Sequence, residues 1–187
     1  MRVVGGNLRG RTIAAPKSQA IRPTADRLRE SLFNILMNAY GNPVSGGRVL
    51  DLFAGTGALG IEALSRGAVF TLFVDDGAEA RALLRENVAS LGLGGTSKVF
   101  RRDATKLGPA YPVEPFSLAF LDPPYGQKLA ENALASARTG AWFTPDALVV
   151  VEEAVKSAFA APEGFTELER RRYDDTEFVV LRFVTPA

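Results

Sequence analysis

The stretch Asp51-Leu52-Phe53-Ala54-Gly55-Thr56-Gly57-Ala58-Leu59-Gly60 joins a short apolar run, 48–53, to a segment with helical character, 58–66. An apolar run followed by a glycine-rich loop and a helix is typical of a strand buried in a parallel sheet. The spacing of the three glycines matches the fingerprint of dinucleotide-binding βαβ units, where glycine lets the backbone approach a ligand closely. An acidic residue is then expected about 20 residues downstream, to accept hydrogen bonds from ribose hydroxyls. Asp75 stands there, so the stretch predicts a nucleotide-like ligand.

Strands and helices alternate after this loop, which predicts a mostly parallel sheet with helices on both faces. With the run at 48–53, the predicted strands number seven, and the last two form an antiparallel hairpin. The later strands are placed at 69–75, 98–102, 116–121, 147–152, 165–172 and 177–184, with helices at 77–91 and 128–137.

The chain upstream of the sheet is predicted to form a small appendage. Residues 1–22 are expected to be a hairpin or an irregular arm. A helix should then begin after Pro23, with Thr24 as its N-cap, and continue to about residue 39. We therefore divide the chain into an N-terminal arm and helix, 1–44, and an α/β domain, 45–187.

The composition excludes several kinds of chemistry. The 187 residues include no cysteine and no histidine, which rules out disulfides, cysteine nucleophiles and imidazole catalysis, and we expect no metal site. Hydrophobic residues make up 47% and charged residues 23%, as in soluble globular proteins. No targeting signal and no apolar stretch of about 18 residues is present, so we expect a cytoplasmic monomer without membrane association.

Charge is unevenly distributed along the chain. Residues 1–35 carry a net charge of +5, whereas the whole chain carries +1. This asymmetry indicates that the N-terminal segment contacts a polyanion, although a solvated basic arm would look the same. Glycines in the arm, Gly5, Gly6 and Gly10, are expected to let it follow a phosphate backbone.

Two ligands fit the glycine loop, NAD and S-adenosylmethionine. Asp51 lies at the predicted tip of the first strand, where a carboxylate would bind an amino-acid ammonium and repel a pyrophosphate. This favours S-adenosylmethionine, unless Asp51 only caps a turn. Asp76 and Glu79 have the spacing of a capping box, so Asp76 is interpreted mainly as a helix cap. Asp103 could accept a hydrogen bond from the adenine amine or simply stabilise a turn.

A second motif, Asp122-Pro123-Pro124-Tyr125, follows the apolar strand 116–121. The two prolines stiffen the loop and remove backbone donors, which leaves the Asp122 carboxylate and the Pro123 carbonyl as acceptors. Such acceptors suit a substrate NH2 group, and the Tyr125 ring offers a surface on which a nucleobase can stack. The motif predicts methyl transfer to an exocyclic amine, because methylation at carbon 5 of pyrimidines usually needs the cysteine that this chain lacks.

These motifs resemble the Rossmann-like class I methyltransferases that modify exocyclic amines. The segments Gly5-Gly6-x-x-Arg9-Gly10-Arg11 and Arg22-Pro23-Thr24-x-Asp26-x-x-Arg29-Glu30-Ser31-Leu32-Phe33-Asn34-Ile35-Leu36 are similar to those of the RsmD family, bacterial methyltransferases of guanine N2 in 16S ribosomal RNA. The resemblance implies S-adenosylmethionine as cofactor and 16S rRNA as substrate, free or within an assembling 30S subunit. The sequence departs from the family pattern at residues 75–77, because Asp75 stands where the family often has a glutamate.

The resemblance also implies roles by position. The tetrad Asp122, Pro123, Pro124 and Tyr125 would hold the guanine. The cofactor would contact Thr24, Arg29, Asp51, Phe53, Ala54, Gly55, Thr56, Gly57, Asp75, Asp76, Asp103 and Ala104. RNA would contact Arg9, Arg11, Lys17, Arg22, Arg27 and Lys128. The alternatives are methylation of a DNA adenine or a protein glutamine, an NAD-dependent oxidoreductase, and an RNA-binding module without catalysis.

Overall fold

The computed structural model describes residues 1–14, 16 and 25–186. Its centre is a seven-stranded sheet in the order β3-β2-β1-β4-β5-β7-β6, in which β1 to β5 are parallel and β7 is antiparallel to both neighbours. The strands are β1 (Arg48–Leu52), β2 (Phe70–Val74), β3 (Ser97–Phe100), β4 (Phe116–Leu121), β5 (Phe143–Ala154), β6 (Phe165–Tyr173) and β7 (Thr176–Phe183). The helices are α1 (Asp26–Ala39), α2 (Ala58–Ser65), α3 (Ala78–Ser90) and α4 (Leu129–Thr139). The predicted α/β architecture is confirmed.

Element bounds differ from the prediction at a few positions. β5 begins at Phe143, four residues before the expected start, because its pairing with β4 includes an irregularity that lets Phe143 lie beside Phe116. Short 3₁₀ turns at Ala104–Lys106 and Val155–Ser157 were not predicted. The N-cap of α1 is Ala25, without a side-chain capping bond, so the assignment of the cap to Thr24 is wrong.

The helices cover both faces of the sheet. On one face, α1 and α2 bury Phe33 and Ile61 in the same cluster as Phe120 of β4. On the other face, α4 contributes Leu134 to a cluster that includes Trp142, the largest fully buried side chain. Because α1 packs in the same core as the sheet, the described residues show no break in packing near residue 44. The division of the chain at that point stays a prediction from sequence.

The N-terminal arm, residues 1–14, is docked against the end of α2. One antiparallel bridge joins Arg2 to Thr12, and Val3 is buried. A Cβ on Gly6 would lie 1.9 Å from the Ser65 carbonyl oxygen, so this glycine is required for close packing. The expectation that Gly6 makes the arm flexible is therefore wrong. None of the helices in the described part of the chain is both long enough and apolar enough to cross a membrane.

Candidate functional site

The two sequence motifs meet at the carboxyl ends of β1 and β4. These strands are neighbours in the sheet, although the chain visits β2 and β3 between them. The order of strands reverses at this point, and ligands of open α/β sheets bind in the crevice that results. A cavity of about 670 Å³ opens here, and both Asp51 and Asp122 line it. That volume lies in the range of pockets for small organic ligands.

The loop after β1 is shaped by left-handed backbone conformations. Phe53 has a φ of 56°, Gly55 of 58° and Gly57 of 82°. For a bulky residue such as Phe53 this conformation is strained, and strain of this kind is concentrated at ligand sites. Phe53, Ala54, Gly55 and Thr56 line the cavity.

The other two glycines of the fingerprint serve the packing of α2. A Cβ on Gly57 would lie 2.3 Å from a methyl group of Leu84, and one on Gly60 would lie 2.4 Å from the ring of Phe73. Neither glycine is among the residues that line the cavity. The expectation that all three glycines let backbone approach a ligand is therefore corrected: Gly55 faces the cavity, whereas Gly57 and Gly60 let α2 approach its neighbours.

Asp51 is a buried carboxylate at the base of the cavity. Its side chain is 1% exposed, and its Oδ2 accepts a hydrogen bond from the backbone N–H of Gly60 at 2.9 Å. Burial raises the pKa of Asp51 well above its usual value, and the nearby charge of Asp75 adds to this. A cation bound beside this carboxylate would offset the cost of its buried charge.

Asp76 does not have the role that the capping pattern indicated. The N-cap of α3 is Gly77, so the assignment of the cap to Asp76 is wrong. Asp75 accepts hydrogen bonds from the backbone N–H groups of Gly55, at 3.0 Å, and Gly77, at 2.8 Å. It therefore ties the glycine loop to the start of α3. Asp76 is exposed, and both carboxylates line the cavity.

Asp103 lies at the opposite wall and begins a short 3₁₀ turn. Its Oδ1 accepts hydrogen bonds from the backbone N–H and the hydroxyl of Thr105, which lower the pKa of this carboxyl. Asp103 and Thr105 line the cavity, whereas the side chain of Ala104 is buried in the core. Asp103 thus stabilises a turn, as one of the two interpretations predicted. Its Oδ2 has no hydrogen bond among the described residues.

The charged side chains in the described lining of the cavity are all negative. Its described lining contains no lysine or arginine. It contains six carboxylates, those of Asp51, Asp75, Asp76, Glu79, Asp103 and Asp122. Such a surface repels phosphate groups and attracts cations and hydrogen-bond donors.

Three residues of the Asp-Pro-Pro-Tyr tetrad line the same cavity, and Tyr125 is not among its described lining residues. Asp122, Pro123 and Pro124 line it, together with Leu129, which sequence reasoning missed. Tyr125 is half-buried and points towards the neighbouring strands. Its hydroxyl lies 3.5 Å from Oε1 of Glu152 on β5 and 3.3 Å from Oγ1 of Thr176 on β7. No local signal could have revealed these two partners, because they are 27 and 51 residues away in sequence.

The structure does not bring Arg29 into the cavity lining. Its guanidinium is fully buried, donates to Glu62 at 3.2 Å and forms an ion pair with Asp26 at 3.0 Å. These partners hold the side chain against α2, and the contact between Arg29 and the cofactor stays a prediction.

The predicted RNA-binding residues are dispersed. Arg9 and Arg11 are exposed on the arm, where Arg11 donates to the Ser90 carbonyl at 3.0 Å. Arg27 is exposed on the first turn of α1, and Lys128 is exposed immediately before α4. The predictions for Lys17, Arg22 and the cofactor contact of Thr24 lie outside the described residues. Within the described ranges, no group of three or more Asp or Glu side chains is arranged to hold a metal ion.

Comparison with known proteins identifies the family of the chain. The model of the family described as conserved hypothetical protein 95 matches residues 1–182. The chain belongs to this family, which is the RsmD family. It is 35% identical over 173 residues to the ribosomal RNA small subunit methyltransferase D of Escherichia coli K12, covering 92% of this chain and 84% of that protein. The protein of the same name from Haemophilus influenzae is 34% identical, with 91% and 88% covered.

Solved structures agree with the fold. The Escherichia coli methyltransferase-like protein yhhF superposes with a TM-score of 0.83 at 28% identity, covering 98% of both chains. TrmN from Thermus thermophilus, at 23% identity and a TM-score of 0.67, shares the fold over 84% of this chain and 48% of its own. The Rossmann-like methyltransferase fold is thereby confirmed.

Proposed function

We propose that this protein transfers a methyl group from S-adenosylmethionine to the exocyclic N2 amine of a guanine in small-subunit ribosomal RNA. The observation that carries the proposal is the acidic cavity, which has six carboxylates, no lysine or arginine in its described lining, and the Asp122-Pro123 acceptors at its border. The names of the relatives from Escherichia coli and Haemophilus influenzae support ribosomal RNA as the substrate.

The residues present fit S-adenosylmethionine better than NAD. The buried Asp51 carboxylate matches an ammonium group, whereas a pyrophosphate would meet only negative side chains in the described lining. Asp76 is exposed and, together with Asp75, provides acceptors for the ribose hydroxyls. Asp103 keeps its Oδ2 available for the adenine amine. When bound, the cofactor supplies a methyl group made electrophilic by a positively charged sulfur.

The tetrad would prepare the amine of the target base. The lone pair of this nitrogen is delocalised into the ring, so the amine is a poor nucleophile. Acceptors at Asp122 Oδ and the Pro123 carbonyl would fix its two hydrogens and return electron density to the nitrogen. The Asp122 carboxylate would also receive the proton that the amine releases. Tyr125 would stack on the base and hold its plane still.

The test is methylation of RNA by the purified protein. Small subunits and free 16S rRNA, both from a strain that lacks the endogenous enzyme, are incubated with S-adenosylmethionine, and their nucleosides are analysed by mass spectrometry. We expect one additional N2-methylguanosine, and comparison of the two substrates shows whether the protein acts on free rRNA or on the assembling particle. N6-methyladenine in DNA or methylglutamine in protein, without methylated rRNA, would contradict the proposal.

Calorimetry tests cofactor binding independently of methylation. S-Adenosylmethionine and its demethylated product should bind, and NAD should not. Binding of NAD alone would favour the oxidoreductase alternative. Binding of S-adenosylmethionine without methylation of any RNA would leave the cofactor assignment intact and contradict the substrate.

A further inference from the structure

Glu152 is a buried carboxylate that the proposed chemistry does not use. Its side chain is 6% exposed, near the carboxyl end of β5. The preceding residue, Val151, pairs with Leu121, the last residue of β4, so Glu152 lies directly beside the start of the tetrad. A buried carboxylate costs free energy unless polar partners compensate it, and the Tyr125 hydroxyl is one polar group close to Glu152.

The Tyr125 hydroxyl lies between side chains from two strands. Oε1 of Glu152 is 3.5 Å away, and Oγ1 of Thr176 is 3.3 Å away on the other side. Ala154 pairs with Thr176, and Glu152 pairs with Phe178, so the two polar residues project from the same face of the β5–β7 pair. Both belong to the rigid sheet, whereas Tyr125 belongs to a loop.

We propose that Glu152 is a positioning residue which, together with Thr176, holds the Tyr125 hydroxyl and so fixes the ring on which the target base stacks. This inference rests on the proposed function, because it gives the phenol a task in base binding. It also changes an expectation from sequence. Stacking alone needs the ring and not the hydroxyl, which would make Tyr125→Phe nearly silent. The structure gives the hydroxyl partners, so its removal should have a measurable effect.

We expect the two contacts of the Tyr125 hydroxyl to shorten when a base binds. Hydrogen bonds between oxygen atoms are ordinarily about 2.5–3.0 Å long, and both contacts of the Tyr125 hydroxyl are longer. Hydrogen bonds at catalytic sites are often long before the substrate binds and shorten in the complex. A base stacked on the ring would press the phenol towards β5 and β7. A small error in its orientation is costly for methyl transfer, because the amine must lie in line with the methyl group.

The test is a double-mutant cycle with RNA methylation as the assay. We expect Tyr125→Phe and Glu152→Ala each to lower kcat/KM about threefold to tenfold, the range for loss of one hydrogen bond. The double variant should be no slower than the slower single variant, because both changes remove the same interaction. Thr176→Val should lower kcat/KM by a smaller factor. Thr176→Ser should keep the kcat/KM of the wild type, because serine retains the hydroxyl.

Glu153→Ala is the matched control. Glu153 is the next residue on β5, is 1% exposed, and its Oε1 accepts the N–H of Ala154 at 3.0 Å. Adjacent residues of a strand face opposite sides of the sheet, so Glu153 does not share the face of Glu152. An equal loss of kcat/KM in Glu152→Ala and Glu153→Ala would show that the effect is on folding and would overturn the proposal. Multiplication of the two single effects in the double variant would also overturn it.

A second measurement reports the environment of the Tyr125 ring independently of methyl transfer. The chain has four tyrosines, so fluorotyrosine labelling gives four ¹⁹F signals, and Tyr125→Phe identifies the one from Tyr125. This signal should shift and broaden in Glu152→Ala and in Thr176→Val, and stay in place in Glu153→Ala. An unchanged signal would refute the contact even if the wild-type protein methylates no RNA, so failure of this inference and failure of the proposed function are distinguishable. If Glu152→Ala does not fold, Thr176→Val provides the same readout.

Discussion

Replacement of Glu62 by alanine tests whether one buried carboxylate holds the N-terminal arm in place. Glu62 is fully buried on α2. Its Oε1 accepts the N–H of Val4 at 2.8 Å and the Arg29 guanidinium at 3.2 Å. Its Oε2 accepts the N–H of Gly5 and the Arg66 guanidinium, both at 2.8 Å. Four donors from the arm, α1 and α2 therefore converge on one side chain.

The expected loss of stability is large. Removing one partner of a buried ion pair costs about 3–5 kcal/mol, because the other charge is left without compensation. Arg29 would keep Asp26, whose side chain is 47% exposed, so the lower half of this range is expected. For a domain of this size each kcal/mol lowers Tm by about 2–4 °C, which predicts a decrease of roughly 6–16 °C for Glu62→Ala. Thermal melting of the purified variants measures it.

Glu163→Ala is the control, because it makes the same chemical change at a surface ion pair. Glu163 is 87% exposed and lies 3.6 Å from Arg138. Such pairs contribute at most about 1 kcal/mol, so Tm should fall by no more than a few degrees. If Glu62→Ala melted as close to the wild type as Glu163→Ala does, the idea that Glu62 anchors the arm would be wrong.

Three further outcomes are expected. Asp51→Asn should weaken S-adenosylmethionine binding at least about tenfold in calorimetry, because it removes one partner of a buried charge pair. The pKa of Asp51 is raised in the folded protein, so the wild type loses stability as the pH rises above the usual pKa of an aspartate. The Tm of ligand-free Asp51→Asn should therefore exceed that of the wild type by a margin that grows from pH 4 to pH 8, and an equal margin at both would contradict this. Asp122→Ala should abolish methylation detected by mass spectrometry and leave cofactor affinity within about threefold, since its carboxylate is assigned to the substrate amine. Replacing Arg9 and Arg11 together should reduce the salt dependence of RNA binding, in log–log form, by about 1.4 for two phosphate contacts of a single strand; an unchanged slope would leave the arm with a structural role alone.

The sheet could be predicted from sequence because its determinants are local. Parallel strands are apolar runs bounded by loops, and β4, at Phe116–Leu121, was predicted to the residue. The cavity follows from the strand order that the structure shows, since Asp51 and Asp122 lie at the carboxyl ends of neighbouring strands. The ends of β5 were harder to predict, because its first residue pairs with β4 and its last residues pair with β7, which lies farther along the chain.

The wrong predictions concern positions where the same sequence is compatible with several local arrangements. Asp75 and Asp76 are adjacent, and nothing in their sequence shows which carboxylate turns back to bind the loop. The backbone decides this by placing Gly77 at the N-cap and the two N–H groups within reach of Asp75. Arg29 was assigned to the cofactor by resemblance alone, and nothing in its sequence neighbourhood indicated that it also donates to a buried glutamate on another helix. Contacts between distant segments cannot be inferred from motif spacing.

The charge of the cavity constrains how RNA could enter it. A phosphate in the cavity would meet six carboxylates, so only a base edge that donates hydrogen bonds is attracted there. The base must therefore leave its stack while the backbone stays outside, which favours a loop or bulge over a continuous duplex. The described cations are arranged accordingly. Lys128 precedes Leu129 at the rim of the cavity, and Arg9 follows the segment that binds Ser65 at the far end of α2. We therefore expect basic side chains outside the cavity to contact the RNA backbone, while the acidic cavity admits only a neutral base.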